Sequence, residues 1–571
     1  MEWSGAQLLV FPFLLLVLPM VAALAWWLKH RYTAAVVRLQ TEAGSVERAQ
    51  ADIAGATEAA PTGFAERVPA SRPRVRRARE VPSHLAEGLC GAVHLRLRRR
   101  VLSLELASGQ LYWLALVLLM AAVMAGSTNP VRVLVFAGAP MLLLVFAPAV
   151  IAWALQTGVR HALVNVPAVL MVVVALALQA SEGGWESELG ASFGYASVAV
   201  AVSVFLRPSV RGAGLPLMTA AGLAWLVFAG LFAIALAFDD SEDTATSAAD
   251  VLGGVVVLML VVGAAVWCGW RALMVLARQY SAKRFSDMQL ALGMYWALLT
   301  AFTVATLLKD RTYLALTGMN AELVSIAIVL LWLLWRRLHS AALAAVVRRA
   351  APAAGTLLFL RVFKPSRRSE QFTDRFFAYW RFAGPVWMIA GPDLAGAYME
   401  PTEFFAYIRR RLREYFVADA GEVVPRLEAL DNARDPDGRF RINELLCSND
   451  TWQAVVLHMI ARADVILLDL REYSQRRRGT RFELTELLRR APLEKVLLMI
   501  DTKDDVTPLT GEIVSIWHEV ARTRSVAGEL GELQILRFGD GSAAEMHGLF
   551  SASVGAANRC PKHATGKEIT L

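Results

Sequence analysis

Cysteine is scarce in this chain of 571 residues: there are four, Cys90, Cys268, Cys447 and Cys560, with no CxxC pair and no metal-type spacing. That leaves neither a disulfide framework nor a zinc site to read. Charge is also sparse, at 19% of residues against about a quarter in soluble domains, while 56% of residues are hydrophobic. The N-terminal apolar run lacks the basic lead of a secretory signal and carries Glu2 instead. Ala23-Leu24-Ala25 resembles a cleavage site, but the run is long and Lys29, His30 and Arg31 follow it, so it reads as a retained anchor. Ionisable side chains are missing from well inside the long apolar runs, where ion pumps and proton-coupled transporters need them. These absences exclude a cytosolic enzyme, a disordered chain and a secreted disulfide scaffold. They make the apolar part an anchor or packing platform, with a channel lined by backbone and hydroxyl groups still open.

What the chain has in abundance is apolar runs separated by Arg-rich stretches. Crossing a hydrocarbon core of roughly 30 Å takes about 20 apolar residues. Nine stretches meet that length, at about 7–28, 109–126, 133–155, 162–180, 189–206, 215–238, 251–271, 288–308 and 318–335. Basic residues in short loops set orientation. Arg160, Arg207, Arg211, Arg271, Arg278, Lys283, Arg284, Arg336 and Arg337 fall in one set of connections. The other set holds the acidic loops around Glu182–Glu186 and Asp239–Asp243. The expectation is a polytopic α-helical domain of an inner, bacterial-type membrane, with its N-terminus outside and everything after Arg336 in the cytoplasm.

The expected organisation is an anchor at 1–28, an Arg-rich cytoplasmic linker at 29–108, a multi-span region at 109–338 and a short linker at 339–355. An α/β domain at 356–557 and a polar tail at 558–571 complete it. The net charge of +8 could point to nucleic acid, and a basic arm is one reading of the cluster from Arg72 through Arg76, Arg77, Arg79, Arg96, Arg98 and Arg99 to Arg100. Its place beside apolar spans favours anionic lipid headgroups, at about 1 kcal/mol per base near the surface, so no nucleic-acid partner is expected.

From about 356 the pattern changes to short apolar runs alternating with amphipathic stretches. Strands are predicted at 356–363, 386–390, 464–470, 495–501 and 533–538, with helices at about 369–382, 402–412, 450–462, 481–490 and 508–523 and one at the end. The stretch 417–448 is less regular and contains the turn Asp435-Pro436-Asp437-Gly438. Alternating strands and helices predict an open, mainly parallel sheet covered on both faces. Ligands in such sheets bind beyond the carboxyl ends of the strands. Those ends carry Lys364 and Arg367, then Asp393, then Arg471, Tyr473 and Ser474, then Asp501, which are the candidate ligand-binding residues.

The sequence Arg471-Glu472-Tyr473-Ser474 followed by Gly479-Thr480-Arg481-Phe482-Glu483-Leu484 lies between two strands. In that order it resembles the Toll/interleukin-receptor (TIR) domain, as does the opening Phe359-Leu360-Arg361-Val362-Phe363. The resemblance spans about 356–540 and implies a TIR or flavodoxin-like fold, self-association through the membrane or soluble part, and a role in signalling or defence. In enzymatic members the matching Glu acts in cleaving the nicotinamide–ribose bond of NAD. That implies Glu483 as catalytic residue and NAD as substrate. Nucleoside deoxyribosyltransferases are similar in fold and also set a carboxylate against an N-glycosidic bond. Such cleavage needs a carboxylate beside a developing oxocarbenium ion or holding the ribose hydroxyls. The competing reading makes Glu483 a first-turn acid that complements its helix dipole.

Other patterns carry less. Gly190-Ala191-Ser192-Phe193-Gly194 spells a nucleophile elbow but opens an apolar span rather than following a strand. Gly391 to Gly396 has phosphate-loop spacing with Ala397 and Tyr398 in place of the Lys and Ser/Thr. His458 and His518 have no partner at ligand spacing. A channel or transporter with a nucleotide-sensing C-terminal domain is the remaining functional alternative.

Overall fold

The computed structural model describes residues 18–42, 75–80, 89–124, 208–237, 248–309, 320–361, 367–390, 401–448, 451–471, 473, 478–520, 533–539 and 541–559. The predicted spans at 133–155, 162–180 and 189–206 lie outside them. Among the described residues, two helices are long and apolar enough to cross a membrane, over Leu252–Ser281 and Glu322–Arg348. This overturns the nine-span architecture: the chain is a helical and parallel-sheet α/β protein. The physical reason is that apolar runs also serve packing of protein on protein. Tyr112 and Leu116, Leu215 and Met218, and Met288, Leu292 and Trp296 come from three of the predicted spans, and all are buried against protein.

The two apolar helices behave differently. Leu252, Met259, Leu260 and Trp267 on one, and Leu323, Leu330, Leu334 and Leu338 on the other, are exposed. A soluble core helix hides such residues; exposed stripes of this size are what a bilayer covers.

The chain divides into two compact units. The first takes residues Met1–Arg31, Val101–Val346 and Tyr398–Ile408. Its helices come from α1 (Leu18–Glu42), α2 (Leu89–Met124), α3 (Pro208–Ala237), α4 (Ala248–Ser281), α5 (Asp287–Lys309), α6 (Ala321–Arg348) and the short α8 (Pro401–Ile408). Two of these helices start on side-chain caps. Ser286 Oγ accepts from Gln289 N at 3.2 Å and Gln289 Oε1 from Ser286 N at 3.0 Å, a reciprocal capping box before α5. Asn320 Oδ1 accepts from Glu322 N and Leu323 N, at 2.9 and 3.1 Å, before α6. α3 and α4 pack closely because Gly269 has no side chain; a Cβ there would meet Ala224 and the Ala220 carbonyl.

The second unit takes Tyr32–Arg100, Val347–Ala397 and Arg409–Leu571 and contains, among the described residues, an eight-stranded sheet. Its strands are β1 (Val75–Glu80), β2 (Leu357–Arg361), β3 (Val386–Ala390), β4 (Phe416–Val417), β5 (Ile442–Cys447), β6 (Val465–Asp469), β7 (Val496–Asp501) and β8 (Leu533–Phe538). Every pairing is parallel, in the order β1-β8-β7-β6-β2-β3-β5-β4. Continuous Val/Ile/Leu runs form the middle strands because both faces are buried; every residue of β6 and β7 is.

Even-numbered residues of β2, β6 and β7, such as Leu358, Leu468 and Leu498, point into one apolar layer with α10 (Trp452–Arg462), α11 (Arg478–Arg490) and α12 (Val506–Val520). Odd-numbered ones, such as Phe359, Leu467 and Met499, point into the other with α7 (Arg367–Trp380) and α13 (Ala543–Arg559). α9 (Val423–Glu428) also contributes to the first layer through Val423 and Leu427.

Leaving aside the two edge additions, β2, β3, β5, β6, β7 and β8 run 3-2-1-4-5-6 across the sheet, the doubly wound dinucleotide-fold order. The flavodoxin-like order implied by the family resemblance, 2-1-3-4-5, is not the one found. The strand direction of the connections therefore reverses between β2 and β6, whose carboxyl ends form the switch point.

Two sheet elements fall where none was expected. β1 lies in the Arg-rich segment read as a linker and pairs with β8, from Val75 opposite Leu533 to Glu80 opposite Arg537. β5 fills part of the stretch read as irregular. The beginning of α2 is equally part of this unit. Leu95 packs on the α7/α13 layer, and Arg98 is buried, its Nε donating to Ala378 O at 3.3 Å and its guanidinium 4.2 Å from the Tyr379 ring.

A tight approach fixes the start of the sheet. A Cβ on Gly384 would overlap the carbonyl oxygen of Gly355, just before β2. Gly384→Ala should destabilise this unit by about 2–3 kcal/mol, read as a lowered midpoint in denaturant with activity of the remaining folded fraction unchanged.

Candidate functional site

Glu483 lies one turn into α11, on its inward side with Thr480, Leu484, Leu487 and Leu488, facing the sheet. It is only 2% exposed, and its Oε2 has no hydrogen-bond partner. Burial pushes its carboxyl up to about 8, so it is mostly protonated at neutral pH. A first-turn acid complementing the helix dipole would be solvent-facing and bonded to backbone N–H groups. This one is turned inward and does neither. Thr480, one turn earlier on the same side, is 1% exposed and its Oγ1 is also unpartnered. Two orphaned polar groups, three residues apart at the N-terminal end of a buried helix, are costly to the fold and mark a place built for something else.

Beside them at the carboxyl edge, Tyr473 packs against the same apolar layer, and its hydroxyl donates to Glu512 Oε1 on α12 at 2.7 Å. Burial first, and Glu512 second, raise its phenol above the ordinary value. Arg481 Nε lies 3.8 Å from the same Glu512 carboxylate. Phe482 meets Trp452 of α10 edge to face, at 5.3 Å between ring centroids. The end of β6, the start of α11 and the middle of α12 are thereby tied together around Glu483's helix turn.

Arg471 belongs to the opposite face. Its guanidinium grips Asp469, with Nε 2.9 Å from Oδ1 and Nη2 2.7 Å from Oδ2, and its backbone N–H donates to Oδ1 at 3.1 Å. The guanidinium carbon stands 4.3 Å from the Phe372 ring of α7 and 5.5 Å from Phe538 of β8. The pair closes the switch point on the α7/α13 side, since Asp469 stands opposite Arg361 in the β2–β6 register. Alternation along β6 puts Asp469 and Glu483 on different sides of the sheet.

The predicted ligand set therefore does not assemble into one cluster. Glu483 and Tyr473 share a face, whereas Arg471 takes the other. Asp501, at the end of β7, is absorbed into its own turn, its Oδ1 accepting from Lys503 N at 3.1 Å and Thr502 Oγ1 at 3.3 Å. Lys364, Asp393 and Ser474 lie outside the described residues. Arg367 opens α7, next to the switch point, and only its backbone is described. Sequence reading missed Asp469, Thr480 and Glu512. Asp469 ends an apolar strand two residues before an Arg, which is the available signal for that pair. Nothing local marks Glu512. Among the described residues no group of three His, Cys, Asp or Glu side chains could hold a metal ion.

No family model matches the chain, and no curated protein or solved structure matches it either.

The raised Glu483 carboxyl makes a signed prediction. With a folded-state value near 8, far above that of an exposed Glu, its contribution favours the fold fully at pH 4 and is lost as pH rises through 8. Between pH 5 and pH 8 the Glu483→Gln variant should gain about 3 kcal/mol of stability relative to wild type, measured by denaturant unfolding at several pH values. Parallel curves for the two proteins would show that Glu483 is not a buried acid. Arg471→Lys should lose about 2–3 kcal/mol, because lysine keeps the charge but neither the two-pronged grip on Asp469 nor the stacking on Phe372.

Proposed function

We propose that this chain is a membrane-anchored protein whose doubly wound sheet recognises a nucleotide at its carboxyl edge, with Glu483 as the carboxylate that works on the ribose. The reaction is cleavage of an N-glycosidic bond in NAD or a related nucleotide. The observation that carries the reading is the buried, unpartnered carboxyl of Glu483 at the start of α11, one strand end from the switch point.

Three further features support it. The 3-2-1-4-5-6 order belongs to sheets that hold nucleotides at the switch point. A carboxylate with no protein partner is free to take the charge of an oxocarbenium ion or the ribose hydroxyls, which a salt-bridged one is not. A cationic nicotinamide ribosyl group arriving next to Glu483 would lower its proton affinity and ionise it on binding. Thr480, with its own orphan hydroxyl one turn away, is the companion contact.

The apolar helices over Leu252–Ser281 and Glu322–Arg348 tether this activity to a membrane. On this reading the arginines at 271, 278, 336 and 337 favour a cytoplasmic location for the sheet, where NAD is available. Self-association on the membrane, as in signalling or defence assemblies, then serves to control cleavage.

The test uses the full chain in lipid nanodiscs, incubated with NAD while nicotinamide is measured. At sub-saturating NAD, release is expected to rise with pH and level above about 8 as Glu483 ionises in the free protein. Glu483→Gln should lower it at least about 100-fold while leaving the protein folded. Absence of release from folded protein at high surface density would remove the reading. Release that survives in the Gln variant would remove Glu483 from it.

A further inference from the structure

The helical unit contains a second chemical constellation, unrelated to the sheet. Glu105 and Ser108 lie three residues apart on one side of α2, and His339 comes from α6. Ser108 Oγ stands 2.8 Å from His339 Nδ1, and His339 Nε2 stands 3.1 Å from Glu105 Oε2. One tautomer satisfies both contacts: the hydroxyl donates to Nδ1, and Nε2–H donates to the carboxylate. A second, longer contact of the hydroxyl, 3.3 Å to Glu105 O, competes weakly with the first.

The ring is held in place. Trp335, one turn before His339, stacks on the imidazole with centroids 5.4 Å apart and planes 20° apart. Its Nε1 donates to Ser108 O at 2.8 Å, which fixes the serine's backbone against the same indole. We propose that Ser108, His339 and Glu105 are nucleophile, base and orienting acid of an acyl-transfer site in the helical unit. The same roles define serine hydrolase triads on unrelated folds, where geometry and not chain order identifies them.

A structural lock between two helices would match every buried polar atom and hide its hydroxyl. Here the pattern runs the other way. Glu105 Oε1 is buried without a partner, and Ser108, at the other end of the relay, is only partly buried. A carboxylate buried beside an imidazole is worth its desolvation where the imidazole must become charged.

The surroundings indicate the substrate class. Trp335 is the partly exposed ring beside Ser108, and the buried Tyr112 and Trp296 back it, with centroids 4.9 Å (Tyr112–Trp335) and 5.8 Å (Trp296–Trp335) apart. Arg336 and Arg337 follow directly on α6 and mark the polar end of its apolar run. An apolar stripe ending at paired cations fits an amphiphilic carboxylic ester at a membrane surface, its acyl chain along the exposed Leu334 and Leu338.

The chemistry balances with water alone. As Ser108 Oγ adds to the ester carbonyl carbon, its proton passes to His339 Nδ1, and Glu105 stabilises the imidazolium through Nε2–H. The ester C–O bond then breaks and the alcohol leaves with that proton. Water, deprotonated by the same nitrogen, adds to the acyl-serine and releases the carboxylic acid, restoring the Ser108 hydroxyl.

The test treats the full chain in nanodiscs with a fluorophosphonate probe and maps the adduct by mass spectrometry. One adduct per chain, on Ser108, is expected, and none in Ser108→Ala. In His339→Asn, which can still hydrogen-bond but cannot act as a base, labelling should slow at least about 100-fold. Hydrolysis of p-nitrophenyl octanoate should follow the same order. A folded wild-type chain with no adduct on Ser108 would overturn the proposal, leaving a helix–helix lock. Equal labelling in His339→Asn would overturn it too. Should that variant not fold, Glu105→Gln replaces it; labelling slowed about 10-fold supports the triad, and unchanged labelling overturns it.

Discussion

The requirement that both faces of a parallel sheet be covered governs the second unit. A parallel ladder has no short hairpins, so each return passes over a face and lays a helix there. The middle strands then have no water-facing side, and their side chains are apolar in both directions, as in β6 and β7. The polar residues displaced from the strands collect at their ends. This is why chemistry in such a fold sits at one edge, and why a carboxyl such as Glu483, carried on a crossover helix and turned inward, is shut away from bulk solvent.

The same constraint divides the edge into two. Side chains alternate along β6, so Asp469 and its Arg471 partner belong to the layer of Phe372 and Phe538, while Leu470 belongs to that of α11. Residues adjacent in the sequence loop thus serve opposite sides. On one side a charge is fully matched by a two-pronged ion pair and closes the switch point. On the other, two polar groups are left unmatched. A matched ion pair confers rigidity and unmatched polar groups confer reactivity, and this sheet keeps them apart by its own thickness.

Much of the sheet was legible in the chain. The runs that became β2, β3, β6, β7 and β8 are short, continuous and apolar, with punctuation at each end, and the amphipathic stretches between them fell where helices are found. β1 was not legible, because Val-Arg-Arg-Ala-Arg-Glu has neither an apolar run nor clean alternation; only pairing with β8 makes it a strand. β5 was obscured by the turn before it, where Asp435 and Arg441, and Asp437 and Arg439, form buried ion pairs that look like solvated loop. The nine-span reading failed for a related reason. Hydropathy reports that a run is apolar, not whether lipid or protein covers it, and Trp296 or Met218 read the same in either case. Glu483 could be singled out by its neighbours in sequence, but its missing partner could not. Glu105, Ser108 and His339 were invisible for want of any local pattern, since the helices that join them are more than two hundred residues apart.

The edge strand β1 has a consequence for how the protein is made. Val75 leaves the ribosome early, yet its partner Leu533 is translated 458 residues later. At about 5–20 residues per second, the segment waits some 20–90 s before its ladder exists. Throughout that interval the strands and helices between them are already being made. That border of the sheet is therefore sealed only after the whole stretch from β1 to β8 has been made. Nascent fragments, however well their centres collapse, carry one raw arginine-studded margin.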